Sequence, residues 1–403
     1  MNKIKYYIET TKNMELGING ILEKVLPNLL FPGPYDYKKY YDRKLLSEVF
    51  EVIDYIPNGK FYYPVLYFRV ELNNVVGEFF NLPDNILNSI KIGQCKLLIE
   101  SPKEGWTYSN TIDPFIDSII TKYNLKDENF VILTGNYLTH NRFKTVYFNT
   151  WEWNTLLQWN EQTPEFTTKI RPYKYMCLNR RPDIHRVAIA TLLSRSPEPG
   201  ILTLAESGGY GSNFLSNAEK DMFRIFPELK NDYYKNIKPN IPLTYNDGID
   251  PEKTNPNSDN KVEKFYNSYL NIVTETSCNN SQLFLSEKVF KPIVHYQPFI
   301  VVGNPGSLAL LKSLNYQTFS GYIDESYDNE KIIEDRLYKA YNSIEEFTKK
   351  PTKELTDLMV EMKPVFEHNL NNLKIRTQKT ISSQTKKLLH NILYFNTLNT
   401  LLE

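Results

Sequence analysis

Ser286-Glu287-Lys288 brings a hydroxyl, an acid and a base together at what reads as the first turn of a helix. Ser is a favoured N-cap and Glu suits the positive end of the helix dipole. The turn therefore predicts unpaired main-chain N–H groups beside a carboxylate and an ammonium, a place where a phosphate can sit. Val289, Phe290, Ile293 and Val294 recur at helical spacing and predict the buried face, which leaves Glu287, Lys288 and Lys291 on another side. Pro292 lies inside this pattern and predicts a kink or an early end, because it has no N–H to donate. The plain alternative is that Glu287 and Lys291 form a surface pair four residues apart, worth about 0.2–0.5 kcal/mol.

Two further clusters have chemical potential. A strand over Tyr175 to Leu178 runs into Asn179-Arg180-Arg181-Pro182-Asp183, and Ile184 to Leu193 has helical spacing with Asp183 as its N-cap. Arg180, Arg181 and Arg186 thus gather at a strand-to-helix junction, where guanidinium groups can grip phosphate in bidentate fashion or pair with Asp183. His185 can assist there, while His295 reads as a core histidine with a satisfied hydrogen bond. After a strand over Lys96 to Ile99, Glu100 and Glu104 lie on a loop at its carboxyl end, where α/β proteins bind ligands. Glu104 is the first candidate for a general base and Glu100 the second, against the reading that such loop acids are only solvated. No His, Cys, Asp or Glu spacing suggests a metal cluster. The chain lacks HExxH, GxSxG and Walker A patterns, which argues against hydrolase and ATPase classes.

Strands must position these groups. Tyr62 to Val70, Lys96 to Ile99, Phe130 to Leu133 and Thr145 to Phe148 read as strands, with a helix over Asp113 to Tyr123 between two of them. Pro27 to Pro34 reads as a loop after a short N-terminal helix, and Asn160 to Pro172 as a domain boundary. Beyond it follow a strand over Ile201 to Ala205, a glycine-rich loop at Gly208 to Gly211, a helix over Asn217 to Phe226 and an exposed loop over Asp247 to Lys261. A short strand at Ile272 and Val273 and another at Phe299 to Val302 flank the Ser286 helix. A helix over Gly306 to Leu314 and a strand over Tyr316 to Phe319 then precede a helical remainder. Strand and helix alternate throughout, which predicts an α/β fold.

The string from Val273 to Gly303, with its Thr-Glu-Thr-Ser loop, Ser-Glu-Lys-Val-Phe-Lys helix start, apolar strand and closing glycine, resembles the donor-binding motif of fucosyltransferase-like and exostosin-like glycosyltransferases of the GT-B type. The resemblance is close from Val273 to Gly303, looser from Arg171 to Tyr327, and no strict signature covers the N-terminal half. It implies two Rossmann-like domains facing a cleft, with C-terminal helices returning to the first domain. The expected limits are 1–165 for the acceptor side, 166–370 for the nucleotide-sugar side and 371–403 for the helical segment. It implies that Glu287 holds the donor ribose hydroxyls and Lys288 a phosphate; Ser286, Thr276, Ser277, Arg180, Arg181 and Arg186 are the further candidates for the donor site. Asn136 and His140, after the strand Phe130 to Leu133, are then expected on the acceptor side, and the base in the N-terminal domain. A sugar would pass from the nucleotide to an acceptor hydroxyl, with inversion as the family's habit. The sugar nucleotide is a substrate, so no separate cofactor is expected. Asp-x-Asp, the usual metal-chelating signal of GT-A enzymes, is absent, so metal-independent catalysis is expected. The rival reading is a non-catalytic carbohydrate-binding or structural protein on a degenerate transferase scaffold.

The 403 residues exceed what one core usually holds, and two domains are expected. Lys+Arg and Asp+Glu both number 47, which removes any overall electrostatic case for nucleic acid or anionic membrane. Lys374, Arg376, Lys379, Lys386 and Lys387 give the tail local positive charge, read as a solvated helix face before a nucleic-acid contact. Cys95, Cys177 and Cys278 are far apart and odd in number, so each reads as a small buried residue rather than part of a disulfide framework. No apolar run reaches membrane-spanning length, and the first residues lack the apolar core of a signal peptide, so a cytoplasmic location is expected. The 29 Tyr, with abundant Asn, Lys and Ile, fit AT-rich coding, as in a virus, a phage or an AT-rich microbe, with the host cytoplasm as the expected site if the source is viral or phage. The acceptor stays open between a glycan and a hydroxymethylated base in viral DNA.

Overall fold

In the computed structural model, the apolar runs form ten strands in two all-parallel sheets among the described residues. The described residues are 4–7, 50–53, 55–66, 81–101, 105, 107–138, 140–147, 151–152, 155–156, 165–207, 214–244, 262–279 and 281–377. The expected N-terminal helix and its Pro27 to Pro34 loop, the glycine-rich loop, the loop over Asp247 to Lys261, and Glu104, Lys379, Lys386 and Lys387 lie outside them. By its contacts the chain divides into a first unit, Met1–Leu157 with Ile375–Glu403, and a second, Gln158–Lys374.

In the first unit, β1 (Ile4–Tyr7), β2 (Phe50–Ile53), β3 (Phe61–Leu66), β4 (Cys95–Ser101), β5 (Phe130–Thr134) and β6 (Lys144–Tyr147) are ordered β2-β1-β3-β4-β5-β6. Leu97, Leu98 and Ile99 are all fully buried, so both faces of β4 are covered, as the uninterrupted apolar run of a parallel strand requires. One face packs Val65, Leu97 and Ile132 with Ile86 of helix α1 (Asp84–Lys91) and Ile116 of α2 (Asp113–Tyr123). Arg376, near the end of a helix over 363–377, ion-pairs at 2.7 Å with the buried Glu152. That residue of the tail therefore does not belong to a solvated face.

The second unit carries β7 (Tyr173–Leu178), β8 (Gly200–Thr203), β9 (Ser268–Thr274) and β10 (Phe299–Val302) in the order β10-β9-β7-β8. Its helices are α3 (Ile184–Leu193), α4 (Phe214–Ile225), α5 (Val262–Tyr266), α6 (Glu287–Val294), α7 (Ser307–Ser313), α8 (Ile333–Thr348) and α9 (Thr352–Glu361). α8 packs on α3 and β10. The two sheets share the strand order of doubly wound, Rossmann-like folds, which is the α/β class expected from the sequence.

Two local expectations fail. Ile272 and Val273 belong to a seven-residue strand, because Gln297 satisfies the polar residues that interrupt it. Its amide nitrogen donates to the Ser268 carbonyl and hydroxyl at 2.8 Å, and its oxygen accepts from Asn271 at 3.0 Å. The segment Tyr316 to Phe319 is not a strand. Asn369 exchanges two hydrogen bonds with the Gln317 backbone, and the Phe319 amide donates to Glu325, so the main chain is satisfied without a ladder. All three cysteines are buried, as expected. No helix among the described residues is long and apolar enough to cross a membrane.

Candidate functional site

The chain of the second unit leaves β7 towards β8 on one side and returns to β9 on the other. The loops after β7 and β9 therefore diverge, and the crevice at such a switch point is where open α/β sheets bind ligands. Both basic clusters found in the sequence fall there. Thr274, the last residue of β9, donates its hydroxyl to Asn179 Oδ1 at 2.5 Å and ties the two strand ends together.

On the β7 side, Asp183 holds the N-cap position of α3, but its side chain makes no capping bond. Its Oδ2 instead accepts from Arg181 Nε at 2.8 Å and ion-pairs with Arg186 Nη1 at 3.0 Å. The Arg181 guanidinium is partly exposed, reaches the Thr276 carbonyl at 3.2 Å and lies over the Phe214 ring. Arg186 is buried and donates to the carbonyls of Arg181 (3.3 Å) and Glu275 (3.0 Å); burial lowers its pKa. It braces the site from inside. Arg180 is half-buried, and its Nε has no hydrogen-bond partner among the described residues. His185 is not placed to hold phosphate: it is buried, its Nε2 donates to the Glu275 carbonyl at 2.8 Å, and burial pulls its pKa to about 4.

On the β9 side, the organising residue is one that sequence reasoning passed over. Glu275 is 1% exposed and accepts three hydrogen bonds: from the Ser286 amide at Oε1 (3.0 Å), and from the Ser286 hydroxyl (2.6 Å) and Thr276 amide (3.2 Å) at Oε2. Burial raises its pKa, opposed by Lys288 and by the Ser286 bonds. Close packing also explains Gly303, because a Cβ there would lie 3.1 Å from that of Glu275. Arg336 of α8 holds the far side of the loop, donating to the carbonyls of Gly303 (3.0 Å) and Cys278 (2.8 Å). Ser277 donates to Asn279 Oδ1 at 2.8 Å within the loop.

Ser286 caps α6 as its sequence position predicts. The first-turn amides are not open, however: Lys288 N–H turns to the Ser286 hydroxyl (3.4 Å) and Val289 N–H to its carbonyl (3.3 Å). The positive charge at this turn comes from a side chain rather than from open amides. Lys288 Nζ reaches Ser286 Oγ and Glu287 Oε1, both at 3.2 Å, with its side chain 28% exposed. Glu287 is not on a surface: it is 5% exposed. Burial raises its pKa, but Lys288 and then Lys291 outweigh that, so it stays below the usual carboxylate range. Pro292 keeps the helix to eight residues, and Tyr296 turns the chain out with φ +52°. His295 is buried and stacks on Phe265 with ring centroids 4.2 Å apart.

An unbroken run of hydrogen bonds thus links Arg181, Thr276, Glu275, Ser286, Lys288 and Glu287. In the first unit, Glu100 is the penultimate residue of β4, and Glu104 follows outside the described residues. Asn136 is fully buried and closes a turn, its Oδ1 accepting from the Leu138 amide. His140 Nδ1 accepts from the Arg142 and Phe143 amides at 3.0 and 3.1 Å, which puts the proton on Nε2 and directs it to Asp113 Oδ1 at 2.8 Å. Both ring nitrogens are thus committed. Among the described residues, no three His, Cys, Asp or Glu side chains gather in a way that could hold a metal ion.

No protein-family model and no curated protein matches the chain. Among solved structures it is similar to an α1,3-fucosyltransferase with GDP, at 12% identity over 98% of this chain and 93% of that one, with a TM-score of 0.36. It is also similar to a UDP-forming α,α-trehalose-phosphate synthase from Burkholderia xenovorans, at 12% identity over 96% of this chain and 87% of that one, with a TM-score of 0.38.

Proposed function

We propose that the chain is a nucleotide-sugar glycosyltransferase of the GT-B type, with its donor at the carboxyl ends of β7 and β9. The carrying observation is that the switch-point crevice joins two basic groups, Arg181 and Lys288, in one hydrogen-bonded frame with a carboxylate, Glu287. A leaving diphosphate needs fixed positive charge that does not have to reorganise as the bond breaks. Arg180, Arg181 and Lys288 supply it, with Arg186 as a brace behind them. Glu287, kept ionised by its lysines, takes the ribose hydroxyls, as the sequence resemblance implies. Thr276, Ser277 and Ser286 complete the rim.

In the reaction, the acceptor oxygen forms a bond to the anomeric carbon while the bond from that carbon to the β-phosphate oxygen breaks. The nucleoside diphosphate leaves with the electron pair, and a carboxylate of the first unit takes the acceptor proton. Glu104 is the proposed base and Glu100 its alternate, with inversion at the anomeric centre. The acceptor is a glycan or a hydroxymethylated base in DNA.

A thermal-shift panel of nucleotide sugars tests this reading. The matching donor at a hundred times its dissociation constant should stabilise the protein by about 2.7 kcal/mol. With acceptor present, nucleoside diphosphate should be released, and EDTA should not stop it. Stabilisation without turnover on either acceptor class would favour a degenerate binding scaffold. Loss of turnover in EDTA, restored only by a divalent metal, would remove the metal-independent mechanism.

A further inference from the structure

We infer that Glu275 is a positioning residue of the donor site: it sets the direction of the Ser286 hydroxyl and, through it, the place of the Lys288 ammonium. The inference rests on the proposed donor reading of this site. A serine hydroxyl has one hydrogen to give. Here it goes to Glu275 Oε2 at 2.6 Å, so Ser286 Oγ can only accept from Lys288, and it does so from both Nζ (3.2 Å) and the amide (3.4 Å). Lys288 thereby keeps a fixed position with a partly exposed ammonium, rather than swinging wholly onto Glu287.

Glu275 has little freedom to move. Its two oxygens accept three donors, and its carbonyl accepts from His185 Nε2 and Arg186 Nη2 at 2.8 and 3.0 Å. Gly303 abuts its side chain. An ionised carboxylate offers only acceptors, which is what three converging donors require; burial raises the pKa of Glu275, and Lys288 and the Ser286 bonds act against that rise. Glutamine has the same shape but must turn an NH₂ towards at least one of those donors. At either oxygen position that NH₂ opposes a main-chain N–H that cannot reverse, the Ser286 amide at Oε1 or the Thr276 amide at Oε2; at Oε2 it also meets the Ser286 hydroxyl, which can reverse. That hydroxyl would accept from the glutamine and aim its proton at Lys288, donor against donor.

Calorimetric titration of the full chain with UDP and GDP, in wild type, Glu275→Gln, Lys288→Ala and the double variant, tests this. Lys288→Ala should weaken the bound diphosphate roughly ten- to hundredfold. Glu275→Gln alone should weaken it about tenfold, and the double variant should bind no more weakly than Lys288→Ala, because Glu275 acts through that lysine. A merely structural role would instead give losses that multiply. Ser286→Ala, which removes the relaying hydroxyl and leaves the carboxylate in place, should show the same non-additivity and serves if Glu275→Gln does not fold. Wild-type affinity in either variant, or losses that multiply in the double variant, would overturn the inference while leaving the donor site standing. A wild-type protein that binds neither nucleotide overturns both.

Discussion

A general base has to be in its proton-accepting form, within reach of a hydroxyl and not already spent on its own chain. His140, expected on the acceptor side, fails the last condition, since its ring nitrogens hold Asp113 and two turn amides, and the Asn136 carboxamide is no base and accepts from the Leu138 amide. Glu100 follows the run of buried residues in β4, at the end of the strand where α/β ligands sit, and Glu104 comes four residues later in the sequence, outside the described residues. Glu104→Gln should cut turnover by roughly 10² to 10⁴ while donor affinity stays near wild type, with Glu100→Gln milder. Turnover above about a tenth of wild type in Glu104→Gln would move the base to another carboxylate of the first unit. At this scale the sequence was readable where one residue type has one strong local use. Ser286 caps a helix because its short hydroxyl can accept from a first-turn amide, which makes serine one of the preferred residues there. Glu275 was not readable, since it stands in a polar loop like any solvated acid. Only its burial and three converging donors mark it out. Asp183 holds the N-cap position its sequence predicts, but the nearby guanidinium groups compete for its carboxylate and the charged partners prevail over a capping bond.

Helix α3 and the loop after β9 are coupled through two donors, His185 and Arg186, that meet on the Glu275 carbonyl. A carbonyl only accepts, so His185 must keep its proton on Nε2, and the neutral ring is the one that fits. Its pKa of about 4 reflects burial first and the adjacent Arg186 next, with Asp183 acting the other way. Above the unfolded-state value of about 6.5, the ring is neutral in both states. As pH falls from there towards 4, the unfolded chain gains a proton that the folded one resists. Stability is then lost at up to about 1.4 kcal/mol per pH unit, or about 3 kcal/mol in all. His185→Gln retains an N–H for the carbonyl and removes the titration, so urea melts at pH 7 and pH 4.5 should show a smaller loss than in wild type. Equal losses would mean that His185 does not govern this window. Elements were legible where burial is two-sided and the run is apolar throughout, as in β4, β5 and β10. They were not legible where a buried polar side chain completes the strand, as Gln297 does for β9, or where side chains satisfy a would-be strand, as Asn369 and Glu325 do over Gln317 and Phe319.

Each unit has a parallel sheet whose order reverses between its first and third strands, so each has one switch point. In the first unit it lies between β1 and β3, and the residues that follow both strands lie outside those described. In the second it lies between β7 and β9, where Arg181, Glu275, Ser286 and Lys288 form one frame. The net charge of zero supplies no long-range field for a diphosphate, so its binding depends on these local cations. Hydrogen–deuterium exchange of the full chain, with and without saturating nucleoside diphosphate, tests this placement most directly. Protection should concentrate in 178–187 and 274–290, with α1 and α2 of the first unit unchanged. Protection confined to Met1–Leu157, or none at a concentration that stabilises the protein against heat, would contradict a donor site at the ends of β7 and β9.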